Sequence, residues 1–353
     1  MLGGDPKGKN FLYTCGQSVF IRDIANPQIC DVYSQHPAQT TVAKYSPSGF
    51  YIASADEQGN VRIWDTVNAE HILKFECKPI SGVIADLSWS GDSTRVAVAG
   101  EGREKFAAVF DYAAGNTVGD IVGHTKACSS IDFKQQRPFR IVTGSIDQTV
   151  IQYDGPPYKY TRTHQDHERF VNCVRFSPDG EKYISVASDG KGFIYDGKTG
   201  DKKAQLDAAD GHKSGIWTVS WSADSKKVLT GSADKTVKIW DVETCKCTQT
   251  FTLDANATND HQVVGSLWQG QYMLATGLNG FIYYLDSNSP DKPLRVLKGP
   301  FLLLSLSLSL SLSLSLLSES HWMNMPTQAT TSSSPRLLTT ALTRTSTLDL
   351  TMG

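Results

Sequence analysis

The stretch GHKSGIWTVSWSADSKKVLTGSADKTVKIWD, Gly211 to Asp241, decides the fold. It opens on Gly211-His212, passes through Asp234 and closes on Trp240-Asp241, and the chain before residue 300 repeats it in one form or another. The closing aspartate is the ruler. Aspartates that end an apolar, strand-like run stand at Asp23, Asp65, Asp111, Asp154, Asp196, Asp241 and Asp286, spaced by 42, 46, 43, 42, 45 and 45 residues. One supersecondary unit is therefore used seven times. A period in the low forties with a Gly-His opening and a Trp-Asp close marks four-stranded propeller blades.

The implied fold class is all-β, a WD40-type β-propeller of seven blades. At 353 residues and 40% hydrophobic content, the chain is long enough for a ring that needs roughly 300 residues at about 40 to 45 per blade. The second unit reads most plainly after the sixth. Its runs Thr41-Val42-Ala43-Lys44-Tyr45, Tyr51-Ile52-Ala53, Val61-Arg62-Ile63-Trp64 and Ile72-Leu73-Lys74-Phe75 alternate as half-buried strands do. The first unit is incomplete at its start. The turn Asp5-Pro6-Lys7-Gly8 leaves only Met1 to Gly4 for an inner strand, so that strand is expected to be truncated to a stub. In the third unit Gly100-Glu101-Gly102-Arg103-Glu104-Lys105 reads as a charged loop between the middle strands.

Two domains of unequal character follow: 1–299 as the propeller, and 300–353 as a low-complexity tail outside the fold. The tail runs through Ser-Leu dipeptides from Ser305 to Leu316 and becomes Ser/Thr-rich to Gly353. Every second residue of the dipeptide run is serine, which weighs against a membrane span. Its period of two is a strand pattern, expected to pair at the gap left by the stub. The abrupt loss of the repeat suggests a truncated form of a longer sequence.

A net charge of −2 and a pI near 6.4 show no basic stripe for nucleic acid, so a protein partner is the expectation. Seven scattered cysteines lack zinc-type pairing and read as reduced thiols. The start has no basic and apolar leader pattern, which points to the cytoplasm. No cofactor is expected: there is no phosphate loop, HExxH or GxSxG.

Within the sixth unit, His212, a hydroxyl from Thr230 or Ser232, Asp234 and Trp240 are spaced to form a buried hydrogen-bonded tetrad, written as His212, Ser232, Asp234 and Trp240. Carboxylate, imidazole, hydroxyl and indole N–H pair one another, so that no buried polar group is left over. The set resembles a catalytic triad in composition. It recurs at the period of the fold, however, which marks it as structural. Counting seven residues back from each closing aspartate gives Gly16, Gln58, Glu104, Asp147, Asp189, Asp234 and Asn279. Asp147, Asp189 and Asp234 have an opening histidine available at His124, His167 and His212; Glu104 has none. Glu104 and Asp147 are expected on one rim, with Tyr158, Tyr160 and Phe170 around them as aromatics suited to an interface, one of the two tyrosines being packed instead.

Longer motifs carry a specific resemblance. Leu2-Gly-Gly-Asp-Pro-Lys-Gly8, Pro47-Ser-Gly-Phe-Tyr-Ile-Ala-Ser54, Gly100-Glu-Gly-Arg-Glu-Lys-Phe106, Gly155-Pro-Pro157, Arg169-Phe-Val-Asn-Cys-Val-Arg-Phe-Ser-Pro-Asp-Gly180 and Lys292-Pro-Leu-Arg-Val296 resemble the amino-terminal propeller of the actin-interacting protein 1 family across residues 2 to 299. The resemblance implies a non-enzymatic, monomeric scaffold of the cytoplasm and cytoskeleton. It would bind actin filaments decorated with cofilin and promote their disassembly, through Glu104, Asp147, Tyr160 and Phe170. Family members carry a second propeller, whose sequence is absent here, so disassembly activity is expected to be impaired. A generic WD40 adaptor, such as a ubiquitin-ligase substrate receptor, is the alternative.

Overall fold

A computed structural model describes residues 2–119, 121–254 and 256–298. The reading of residues 300–353, its boundary at 299 and the suggested pairing of the Leu/Ser run lie outside the described residues. Seven antiparallel sheets follow one another along the chain, and within each the strands pair in sequence order. Their inner strands are Leu2–Gly4, Thr40–Tyr45, Gly82–Trp89, Cys128–Phe133, Val171–Phe176, Ile216–Trp221 and Val263–Gln269. Together they form a seven-bladed β-propeller. Six sheets have four strands; the third has three. There the outer strand is reduced to one bridge between Phe110 and Thr117.

An inner strand has a sheet neighbour on one side only. Its other edge faces the central channel, where unpaired N–H groups would each cost about 1–3 kcal/mol. Side chains of the preceding blade supply the missing acceptors at the period of the repeat. Asp86 Oδ2 accepts from Ile131 N at 3.1 Å and Ser88 Oγ from Phe133 N at 3.1 Å. Ser130 Oγ accepts from Val174 N at 3.2 Å and Asp132 Oδ2 from Phe176 N at 2.8 Å. Thr218 and Ser220 do the same for Ser266 and Trp268. The third blade is thereby stitched to the fourth, the fourth to the fifth and the sixth to the seventh.

Charges concentrate in that stitching. Asp86 is fully buried, with Lys44 Nζ 2.9 Å from Oδ1 and Arg175 Nη1 2.7 Å from Oδ2. Four consecutive blades, the second to the fifth, thus meet through Lys44, Asp86, Asp132 and Arg175. Burial pushes the Asp86 carboxyl up, but Arg175 and Lys44 outweigh it and hold it down at about 2. At Asp132 burial prevails and the carboxyl is raised.

The ring closes between the first and seventh blades without a shared strand. The expected stub is a three-residue strand, Leu2–Gly4, paired to Phe11–Tyr13. Gln269 completes the seam: its Oε1 accepts from Asp5 N at 3.1 Å and its Nε2 donates to Asn10 O at 2.9 Å. A Cβ on Gly4 would lie 2.5 Å from that Oε1, so a side chain there would displace Gln269 from its two bonds across the seam. Leu2, Phe11, Leu274, Ile282 and Tyr284 bury the apolar side of the seam, and Tyr284 donates from its hydroxyl to Ile24 O at 3.0 Å.

The third blade corrects the sequence reading. Gly100-Glu101-Gly102 is not loop but the end of a long strand, Arg95–Gly102, paired with Gly82–Trp89 past a bulge between Ala99 and Gly100. A Cβ on Gly82 would lie 1.9 Å from Glu101 O, so glycine is required for the two backbones to approach.

The channel ions set the acid response. A carboxyl held at about 2, below its unfolded value of about 3.9, stabilises the fold above about pH 4 and loses that contribution as pH falls towards 2. Asp86→Asn is expected to lower stability at pH 7 by about 3–5 kcal/mol, because Arg175 is left uncompensated, and to flatten the acid loss over pH 4 to 2. Urea unfolding across that range measures both; a parallel curve for the variant contradicts the assignment.

Candidate functional site

Two hairpin geometries bring the rim residues to one side of the ring. The connection from second to third strand and the approach to each inner strand lie at the same end of a blade, because two antiparallel strands separate them. In the sixth blade His212 approaches from the opening, Asp234 from the hairpin, and Trp240 from the third strand. His212 Nδ1 lies 2.9 Å from Asp234 Oδ2, and His212 Nε2 lies 2.8 Å from Thr230 Oγ1. Trp240 Nε1 donates to the same Thr230 hydroxyl at 2.8 Å.

The hydroxyl of this tetrad is therefore Thr230 and not Ser232. Ser232 serves the turn: its Oγ donates to Gly215 O at 2.9 Å and accepts from Asp234 N at 3.1 Å. Both side chains point to the same face of the strand, since residues two apart do so. Only Thr230 stands opposite the indole.

Related sets occupy three other blades. His124 bridges Thr143 and Asp147 at 2.7 and 3.0 Å, and His167 bridges Ser185 and Asp189 at 2.7 and 3.0 Å. In these two blades tyrosine replaces tryptophan, and its hydroxyl donates to a further acceptor, Tyr153 to Val122 O and Tyr195 to Asp166 Oδ2. The second blade holds a set that counting seven residues back missed. His36 bonds Ser54 at 2.6 Å and Asp56 at 3.4 Å, and Trp64 Nε1 donates to Ser54 at 3.0 Å. The carboxylate comes from Asp56, two residues ahead of the counted position Gln58. The opening His36 with a Trp-Asp close was the available signal. In the seventh blade Asn279 Nδ2 donates to Tyr283 OH at 2.6 Å instead.

Asp147, expected as a contact residue of the rim, also belongs to this hydrogen-bonded machinery. Its side chain is 7% exposed. Oδ1 accepts from Thr149 N and Oγ1, and Oδ2 from Thr125 N beside His124 Nδ1. Burial pushes the Asp147 and Asp234 carboxyls up, but hydrogen bonds from His124 and Thr149, and from His212 and Thr236, hold both well below the usual range. A carboxylate with both oxygens occupied has little left for a partner.

Glu104 is different. It is exposed at the tip of the extended third-blade hairpin, with exposed Glu101, Arg103 and Lys105 beside it. Phe170 is half-buried at the entrance to the fifth blade, its carbonyl accepting from Ser188 N at 2.9 Å. The next residue, Val171, packs onto Gly144 of the fourth blade, three residues from Asp147. Glu104, Asp147 and Phe170 thus share the rim. Tyr160 stands apart, on the outer strand Lys159–His164, 54% exposed and paired with Tyr153 rather than at the hairpin end. Tyr158 is the packed tyrosine, edge-on to Phe133 at 5.5 Å.

Among the described residues no group of histidine, cysteine and carboxylate side chains is arranged to hold a metal, and no helix is long and apolar enough to cross a membrane.

The repeat family described as "WD domain, G-beta repeat" matches residues 28–65, 115–154, 158–196 and 204–241. Over 299 residues the chain is 54% identical to WD repeat-containing protein 1 of Gallus gallus and 53% identical to that of Bos taurus. It is 51% identical to Actin-interacting protein 1 of Drosophila melanogaster over the same length. Each match covers 85% of this chain and 49% of the relative. The chain spans about half the length of the curated relatives it matches.

The tetrad predicts unequal effects for neighbouring hydroxyls. Thr230→Val leaves His212 Nε2 and Trp240 Nε1 without a partner and should cost about 1–3 kcal/mol, with Ser232→Ala nearer 1. Trp240→Ala should cost about 3–5 kcal/mol through the cavity left behind. Urea denaturation of the three variants tests the order, and a larger loss for Ser232→Ala than for Thr230→Val reverses the assignment.

Proposed function

Since the propeller of this chain belongs to the family of actin-interacting protein 1 and WD repeat-containing protein 1, we propose that it is a binding scaffold for actin filaments. In this reading it engages filaments decorated with cofilin and promotes their disassembly, acting at the cytoskeleton in the cytoplasm and without chemistry of its own. The observation that carries the reading is the exposed third-blade hairpin. It is the one hairpin on this rim, among the described residues, whose second and inner strands both run to eight residues. It presents Glu104 to solvent where the second, fourth, fifth and sixth repeats bury a carboxylate against histidine.

A carboxylate with no internal partner among the described residues supplies an electrostatic contact, and a half-buried aromatic supplies apolar area at little entropic cost. Glu104 and Phe170 are accordingly the contact residues of the rim. Tyr160 extends the surface to the outer edge of the fourth blade, and Asp147 holds the rim in shape. The buried tetrads favour a scaffold over a catalyst, since each histidine and carboxylate is already satisfied. All seven cysteines are free thiols, as suits a reducing compartment.

Co-sedimentation with actin filaments, with and without cofilin, tests the proposal. Glu104→Ala and Phe170→Ala should each weaken binding to cofilin-decorated filaments about tenfold, or about 1.4 kcal/mol, at an unchanged melting temperature. Asp147→Asn should lower the melting temperature instead. Absence of the parent chain from decorated filaments overturns the partner, and full binding by both alanine variants overturns the rim.

A further inference from the structure

The opposite rim carries a second departure from the repeat. There, in three blades, the turn between first and second strands has a serine bonded to an acid two residues on: Ser90 to Asp92 at 2.5 Å, Ser177 to Asp179 at 2.5 Å, Ser222 to Asp224 at 2.6 Å. The fourth blade reads Lys134-Gln135-Gln136-Arg137-Pro138 in its place. The acid is gone and two cations have appeared.

Beside this turn lies a cleft of about 550 Å³ between the third and fourth blades, lined by Arg95, Arg137, Pro138, Phe139, Gly155 and Pro156. Its volume is that of a small-molecule or side-chain pocket. Arg137 is exposed, held 5.3 Å over the Phe139 ring, and has no carboxylate partner among the described residues. Among the described residues the carboxylate paired with Arg95 is Asp92, at 3.8 Å, while the other oxygen of Asp92 is taken by Ser90 and Thr94. The buried Arg95 Nε stands beside the buried Tyr158 hydroxyl, a neutral neighbour that offers it no charge. The nearby Asp154 is occupied by Arg140 at 2.5 Å. The two guanidinium groups therefore bring positive charge to the cleft that no carboxylate of its wall neutralises.

We propose that this cleft binds an aryl phosphate, the group carried by phosphotyrosine. Two guanidinium groups with no acid in the cleft wall match a phosphate of charge about −1.5 to −2, and their planar forks suit its oxygens. Phe139, Pro138 and Pro156 offer apolar walls to the ring. The site lies on the rim away from Glu104 and Phe170, so it is independent of the filament contact.

The test is calorimetric titration of the intact chain with phenyl phosphate, and separately with inorganic phosphate and phenol. Phenyl phosphate should bind at least tenfold more tightly than either half. Arg137→Gln, on an exposed turn, should weaken it at least tenfold at an unchanged unfolding midpoint, and Arg95→Lys should weaken it while keeping the charge. O-phospho-L-tyrosine should compete with phenyl phosphate more strongly than adenosine monophosphate does. Equal affinity for inorganic phosphate, full binding by Arg137→Gln, or stronger competition by the nucleotide would overturn the assignment.

Discussion

The inward edge of each blade is the constraint on which the ring depends. A sheet that starts at a channel leaves a row of donors facing away from any strand, and no strand can be added there. The chain answers with short polar side chains, Asp86, Ser88, Ser130, Asp132, Thr218 and Ser220, each reaching the backbone of the following blade. These bonds are directional, so they fix not only that blades touch but at which register they do so. Apolar packing between blades, as of Val171 on Gly144, supplies area but tolerates sliding. The polar stitches remove that freedom.

Where the stitching carries full charges, it links more than neighbours. Arg175 of the fifth blade reaches Asp86 of the third past Ser130 of the fourth. The net worth of such a buried cluster is small beside the cost of breaking it. Its effect is rigidity on the side of the ring that bears the proposed contact rim. Glu104 and Phe170 sit on the third and fifth blades, the two that Arg175 and Asp86 tie together.

The architecture was legible because the repeat is written in residues whose physical roles are strict. A closing Trp-Asp or Tyr-Asp, a turn carboxylate and an opening histidine recur at a period that no other arrangement of strands explains. What escaped the sequence was decided by alternation and by distance. Thr230 and Ser232 face the same way and differ only in what lies opposite. Asp56 replaces the turn carboxylate from two residues earlier, so a fixed count passes over it. Gly100-Glu101-Gly102 reads as a loop by composition, yet bulged pairing with glycines at the close approach makes it strand. The stub Leu2–Gly4 reads in the sequence as a gap in the first blade. Gln269, 264 residues from its partner Asp5, closes the gap, and no local pattern announces such a contact. The cleft of Arg95, Arg137 and Pro156 draws on three separate turns and is invisible until they meet.

The seam between the first and seventh blades also dictates an order of events. Every sheet is built from strands neighbouring in sequence, so each blade can form as soon as its own stretch of chain is available. The bonds that join Gln269, Tyr284 and Arg295 to the opening residues span 259 to 270 positions. They bear the largest loop-closure entropy in the described fold. Blade-by-blade assembly as an open arc, with the seam as its costliest closure, is the order this topology favours. The ring's two ends meet as separate surfaces, like the faces of a clasp.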